Sequence, residues 1–462
     1  MKTYTSFTYS FSIFLAIIIC LLGSSCEKLI EVDLPSDQLN TSDVYKNRST
    51  TEAALLNLYV NIRENSIFTA KTTGSGYLLG TYCDELESFI NDDEIYTNTL
   101  TPSSSRIANL WNSTYTNLYA INSFIEGASN SNTLDAQTKQ TFLAEAYFLR
   151  ALNFQYLTQL YGDIALVTTS NYKTNSTIGK TNTIGVLSLV EQDLLKAVDG
   201  LNDSYRNPSR IFPNKATAEL LLAKNYLLQK RYDLAQYHAQ RVIDNPQYTI
   251  ETDLLKVFKR NAKSTIWQLS PASATGNSMS STYEAISYVL SSAPSTTVAL
   301  SNNLMQSFTL TDLRRQLWIG SVSNNNQTFY YPYKYKNKSN NTDEYSIVFR
   351  IEEAYFILIE ALAYQDQIEQ AAILLNIIRQ RAGLTPIALN LSKPDFIDQM
   401  LNESNREFFT ETAHRFFDLK RNNKLPVLQL VKPNWQAKHQ LLPIPEKETI
   451  SNKNLLPQNN GY

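Results

Sequence analysis

The chain has 462 residues, 43% of them hydrophobic, which excludes a disordered protein and allows a large core. Its 41 Lys and Arg against 43 Asp and Glu leave a formal charge of −2, so there is no basic excess to neutralise a phosphate backbone and nucleic acid is set aside as a partner. Three cysteines and three scattered histidines give neither a disulfide framework nor metal-ligand spacing, so no metal and no cofactor are expected.

The N-terminus reads as an address. Phe11 to Leu22 form the apolar run FSIFLAIIICLL, too short to span a bilayer as a helix. Lys2 precedes it and the small residues Gly23, Ser24 and Ser25 follow, the pattern of a secretory signal over 1–25. The small residues end at Cys26, as in a lipobox, with Gly23 standing where Leu is more usual. The Cys26 thiol is therefore expected to carry the lipid, with 26–48 as anchor and tether, and the mature chain is anchored rather than spanning. The alternative is a simple secreted signal with Cys26 incidental.

The first helix is predicted from Ser49, where Ser49 and Glu52 form a capping-box pattern. Its apolar face is Ala54, Leu55, Leu58, Tyr59 and Ile62. Residues 64–105 lose periodicity and read as a long loop. Helical pattern returns at Ile107–Gly127 and Thr138–Tyr161. The second of these has two apolar stripes, one through Leu143, Arg150 and Phe154, the other through Phe142, Leu149 and Tyr156, which implies a helix sandwiched between neighbours. Residues 215–244 read as two helices joined at Gln229–Arg231, close to a tetratricopeptide hairpin, and 346–382 repeat that plan. Such separated hairpins imply a segment inserted into the repeat array. That segment, 250–345, is rich in Ser, Asn, Thr and Tyr, with a strand around Trp267 and a small hairpin around Thr328–Tyr335. A last helix is predicted over Asp395–Arg421, with Glu411 and Arg415 at ion-pair spacing.

Taken in order, these pieces resemble a family. The signs are Cys26-Glu27-Lys28-Leu29, the segment Leu143 to Val167 ending in an aromatic-Gly-Asp turn, Lys215-Ala216-Thr217-Ala218, and Asp312-Leu313-Arg314. They continue with Leu375 to Gly383, the helix Glu403 to Arg421, and Leu442-Pro443-Ile444-Pro445 before Gly461-Tyr462. Together they are similar to the SusD/RagB outer-membrane nutrient-binding lipoproteins. The acidic residues Glu27, Glu31 and Asp33 also resemble surface-export signals of the Bacteroidetes.

The resemblance implies a mainly all-α fold: four TPR-like helix hairpins with a variable loop-rich subdomain. Its regions here are 49–249, the variable 250–345 and the C-terminal 346–462. It implies an outer-membrane lipoprotein facing the exterior, which hands an oligosaccharide or peptide to a SusC-like TonB-dependent transporter without chemistry. The ligand face is expected from the loops 64–105 and 270–345. Tyr77, Tyr82, Asp84 and Tyr96 are its candidates in the first loop, and Tyr283, Tyr288, Tyr330 and Tyr331 in the second. The competing reading of each is loop packing.

Asp84-Glu85-Leu86-Glu87 and Asp92-Asp93-Glu94 lack the spacing of a calcium loop and are read as surface acids, not as a catalytic pair. Gly74, Gly76 and Gly80 miss the dinucleotide fingerprint by one residue. Two other functions compete with nutrient capture. One is a surface glycoside hydrolase; the other is a TPR-type structural lipoprotein for outer-membrane assembly. An assembly scaffold has no use for a Tyr-rich insertion of this length.

Overall fold

The computed structural model describes residues 41–275 and 278–462. The signal 1–25, Cys26 and the tether as far as residue 40 lie outside the described residues.

Helix α1, Arg48–Glu64, buries Leu55, Leu58, Tyr59 and Ile62, the face predicted for it. Its cap is Asn47 rather than Ser49. Asn47 Oδ1 accepts the Thr50 N–H at 3.0 Å, and Ser49 lies inside the first turn. Asn47→Ala is expected to cost about 1 kcal/mol, read as a lower urea midpoint at unchanged slope. The region 64–105 is not all loop. It holds α2, Ser75–Tyr82, and β1, Leu86–Ser88. Nearly every α2 residue is buried, so it shows no amphipathic period to read.

Helices α3, Ser105–Asn130, and α4, Ala136–Tyr161, form the first hairpin. From Phe148 to Thr158 every α4 residue is buried, as its two stripes require. A buried Arg150 is tolerable because Asp193 pairs with it through two bonds of 2.7 and 2.9 Å. Asp193 belongs to α5, Thr183–Gly200, a helix for which the sequence reading has no counterpart. Helices α6, Lys215–Leu228, and α7, Tyr232–Ile243, follow with their turn at Gln229–Arg231.

The inserted segment opens with β2, Thr265–Leu269, where Trp267 is fully buried and donates its indole N–H to Ile211 O. It continues through α8, Tyr283–Tyr288; β3, Val298–Leu300; and the hairpin of β4, Ile319–Asn324, with β5, Gln327–Pro332. Strand β6, Ser346–Arg350, pairs antiparallel with β2 and returns the chain to the helices. Helices α9, Ile351–Tyr364, and α10, Ile368–Arg381, form the next hairpin.

The array is continuous across the insertion. Helix α7 packs directly on α9, and the rings of Tyr232 and Tyr364 stack at 4.8 Å with 3° between their planes. The inserted residues loop out and build a second, smaller core around Leu254, Phe258, Tyr288, Trp318 and Tyr335. Trp111 and Trp435 belong to the main helical core. Among the described residues no helix is long and apolar enough to cross a membrane.

The last predicted helix is broken. Helix α11 runs Lys393–Phe408 and α12 His414–Arg421, with left-handed backbone at Thr410, Thr412 and Ala413 between them. The physical reason lies in adjacent residues: Phe408 packs into the main core and Phe409 into the smaller one. Glu411 therefore leaves the helix and never faces Arg415. It pairs with Lys334 at 2.5 Å and Arg350 at 2.9 Å, while Arg415 pairs with Asp84. The charges are framework, as expected, but with different partners.

Candidate functional site

Two segments some two hundred residues apart in sequence are brought into one seam. Strand β1 pairs antiparallel with β3, in the register Leu86↔Leu300 and Ser88↔Val298. Beside it Tyr77 stacks on Tyr288 at 5.9 Å. Asn303 donates to Asp84 Oδ2 at 3.0 Å, and Ser287 donates to Ala70 O.

Four of the eight predicted ligand residues lie inside this frame. Tyr77, Tyr82, Asp84 and Tyr288 are between 0% and 4% exposed. Tyr82 is packed edge-on by Phe416 and Trp435, and its hydroxyl reaches His439 O. Asp84 is held by Arg415 at 2.7 and 2.9 Å. These four build the scaffold and present no surface to a ligand. The sequence could not show this, because a loop's composition does not say which of its aromatics turn inward.

The other four are half-buried. The ring of Tyr96 lies 3.8 Å from Lys432 Nζ. Tyr283 donates its hydroxyl to Glu64 at 2.5 Å, and Lys71 Nζ lies 4.6 Å above its ring. Burial works against the charge on Glu64, yet Lys71, Tyr283 and Arg63 hold its carboxyl down at about 2. Tyr330 and Tyr331 are adjacent in β5, so they point to opposite faces of the hairpin. Tyr330 packs towards the smaller core, with Arg315 5.9 Å from its ring.

Tyr331 is on the open side, together with Phe329 and Tyr333. Tyr331 and Tyr333 meet edge-on at 5.6 Å, and Phe329 meets Phe89 at 5.5 Å. Lys336 Nζ lies 5.0 Å from the Tyr333 ring. Gly320, the cross-strand partner of Tyr331, makes room for the ring: a Cβ there would come within 2.4 Å of it. The result is a half-exposed face of Phe89, Phe329, Tyr331 and Tyr333. Phe329 and Tyr333 were legible in the sequence as an alternating stripe around Tyr331; Phe89 reaches the face only through the β1–β3 pairing.

The acidic runs are not all at the surface: Asp84, Glu85 and Asp93 are buried, and Asp84 and Asp93 are held by arginines. Asp93 binds Arg106 at 2.6 Å and accepts the Ser88 hydroxyl. Among the described residues no group of three His, Cys, Asp or Glu is placed to hold a metal. Burial, then neighbouring Asp84, pushes Glu85 up to about 8. The folded chain thus holds a proton that the unfolded chain releases. This stabilisation is present in full below the ordinary Glu value of 4.5 and is lost as pH rises to about 8. Glu85→Gln is expected to raise the thermal midpoint at pH 8 relative to the unsubstituted chain, with a much smaller difference at pH 5.

The fold has counterparts in known proteins. The SusD family model matches residues 318–462, and a SusD-like model described as "Starch-binding associating with outer membrane" matches 32–227. The chain belongs to the SusD family. It is 26% identical to SusD-like protein P2 of Formosa agariphila, over 97% of this chain and 99% of that one. It is also 24% identical to SusD-like protein P25 of the same organism, over 53% and 49% of the two chains. A SusD superfamily structure from Bacteroides vulgatus superposes with a TM-score of 0.76 at 16% identity, covering 90% of this chain and all of that one. A laminarin-binding SusD-like protein superposes at 0.74 with 20% identity, again over 90% and 100%. The SusD fold thus accounts for the helical array, and three residues of the aromatic face, Phe329, Tyr331 and Tyr333, lie on the segment inserted into it, with Phe89 added from the end of β1.

Proposed function

We propose that this SusD-family protein captures an oligosaccharide at the outer face of the outer membrane, tethered through a lipid on Cys26. It then passes the ligand to a SusC-like TonB-dependent transporter without altering it. The aromatic face of Phe89, Phe329, Tyr331 and Tyr333 carries the reading. Aromatic side chains left half-exposed and side by side are unfavourable unless something covers them, and the C–H faces of a pyranose stack on flat rings. Charged neighbours such as Lys336 and the Lys71–Glu64 pair with Tyr283 offer hydrogen bonds to hydroxyls at the same seam. The matched description of starch binding and the laminarin-binding relative support a glycan over a peptide.

The test is calorimetry of the detergent-solubilised full chain against a panel of neutral glycans and peptides. Binding to a glycan class, with no cleavage of it on prolonged incubation, is the expected result. Binding to peptides alone, or hydrolysis of the bound glycan, overturns the reading. Mass spectrometry of the mature N-terminus checks the lipid on Cys26, and co-purification of a barrel protein from native membranes checks the transporter.

A further inference from the structure

A cavity of about 510 Å³ opens where the end of α4, the start of α5, the end of α6, α12 and the C-terminal tail meet. It shares no lining residue with the aromatic face. Its size is that of a small-molecule site. Gly162 shapes one wall: it ends α4 at φ +74°, a conformation that L side chains rarely adopt, and turns the chain into Asp163. The floor is apolar, with Leu187, Leu227 and Phe417.

The charge of the cavity is opposite to that of the chain. Lys180, Lys230, Lys420 and Arg421 line it, against a single lining carboxylate, Asp163. Asp163 already accepts the Thr183 N–H at 3.1 Å. Arg421 is neutralised by Glu360 and Asp418, at 2.6 and 2.7 Å. The three lysines have no such partner: among the described residues, no carboxylate lies within ion-pair distance of any of them. Lys180 Nζ donates to Pro457 O and Lys420 Nζ to Gln159 O, both backbone carbonyls. Burial pulls Lys420 down to about 7, with no neighbouring anion to hold it up. Uncompensated cations around a partly apolar cavity leave an electrostatic deficit that one bound anion would satisfy. The side-chain amides of Asn423 and Gln440, also on the wall, make no hydrogen bond among the described residues and are free for hydroxyls.

We propose that this cavity is a second binding site, selective for a carboxylated sugar. The lysine ammonium groups take the carboxylate, the Leu187–Leu227–Phe417 floor takes the C–H face of the ring, and Asn423 and Gln440 take hydroxyls. The anion site stands on the cavity alone; the choice of a sugar acid rests on the glycan-capture reading.

The experiment titrates the detergent-solubilised full chain with digalacturonate and, separately, with its dimethyl ester, by calorimetry at pH 7 and low salt. The acid is expected to bind at least about tenfold more tightly than the ester and to weaken on adding salt. Lys420→Met and the exposed Lys230→Gln are each expected to weaken the acid severalfold and to leave the ester unchanged. Circular dichroism confirms folding, and the exposed Lys230 position keeps the test readable if Lys420→Met fails to fold. Binding of the acid is further expected to take up protons near pH 7, because the anion raises Lys420. Tyr331→Ala is expected to leave the acid's affinity intact. Equal binding of acid and ester, no binding of the acid, or no effect of either lysine substitution overturns the site. Loss of acid binding in Tyr331→Ala overturns it too, and assigns the sugar acid to the aromatic face instead. If neutral glycans fail while the lysine effects hold, the capture reading falls and the anion site stands.

Discussion

Arg350→Met is expected to destabilise the folded chain by about 3–5 kcal/mol, the range for removing one partner from a buried ion pair. Arg350 sits at the junction of the two cores with no exposed surface. It binds Glu407 at 2.6 Å, Glu411 at 2.9 Å and Glu352 at 3.2 Å, and donates to the backbone carbonyl of Glu407. Glu407 in turn meets Arg314 and Arg381. Burial opposes the charge on Glu407, but Arg381, Arg350 and Arg314 hold its carboxyl well below the usual range. Losing Arg350 leaves carboxylates in a dry interior with too few cations. It also strips the broken end of α11 of a donor, leaving Lys334 to serve the carbonyls of Glu407 and Phe409. Urea unfolding measures the effect. A loss below about 1 kcal/mol, the size of an exposed pair, would show that the network does not hold the cores together. The same network predicts acid sensitivity. Glu403 is held at about 2 by Arg314, Arg406 and Arg379 against the cost of its burial. Its contribution is complete above about 4.5 and is lost as pH falls towards 2.

Tyr331→Ala is expected to weaken binding of the captured glycan by at least about tenfold, as for an aromatic anchor at the centre of an interface. The fold is expected to survive, because Tyr331 lies on the open face and Gly320 beneath it makes no demand for the ring. Two controls separate site from scaffold. Tyr330→Ala, on the inward face of the same strand, is expected to lower stability and to change affinity less. Tyr77→Ala is expected to cost about 3–5 kcal/mol of stability as a large-to-small change in a packed core, with affinity retained where the chain is still folded. Equal loss of affinity in all three, measured by calorimetry on folded protein, would mean that the hairpin acts by its fold and not by its rings.

Within the strand that holds Phe329, Tyr330, Tyr331 and Pro332, successive side chains take opposite faces, so two adjacent tyrosines do not serve one surface. Tyr77, Tyr82 and Tyr288 follow no such alternation. They lie in short helices with no amphipathic period to read, and only the tertiary packing turns them inward, Tyr77 and Tyr288 into the smaller core and Tyr82 into the main one. Helix α5 has no counterpart among the predicted helices, although it supplies the acid that neutralises Arg150.

The sequence by itself determined the helical repeats and the family, because apolar periodicity and ordered short motifs are local properties of the chain. It also determined that a segment must be inserted between the hairpins at 215–244 and 346–382. Only the tertiary structure decided that the hairpins close directly on each other, that the helix after Lys393 breaks between Phe408 and Phe409, and that Phe89 joins Tyr331. The break depends on which of two cores a side chain enters, and the other two on packing and strand pairing between segments far apart in the chain.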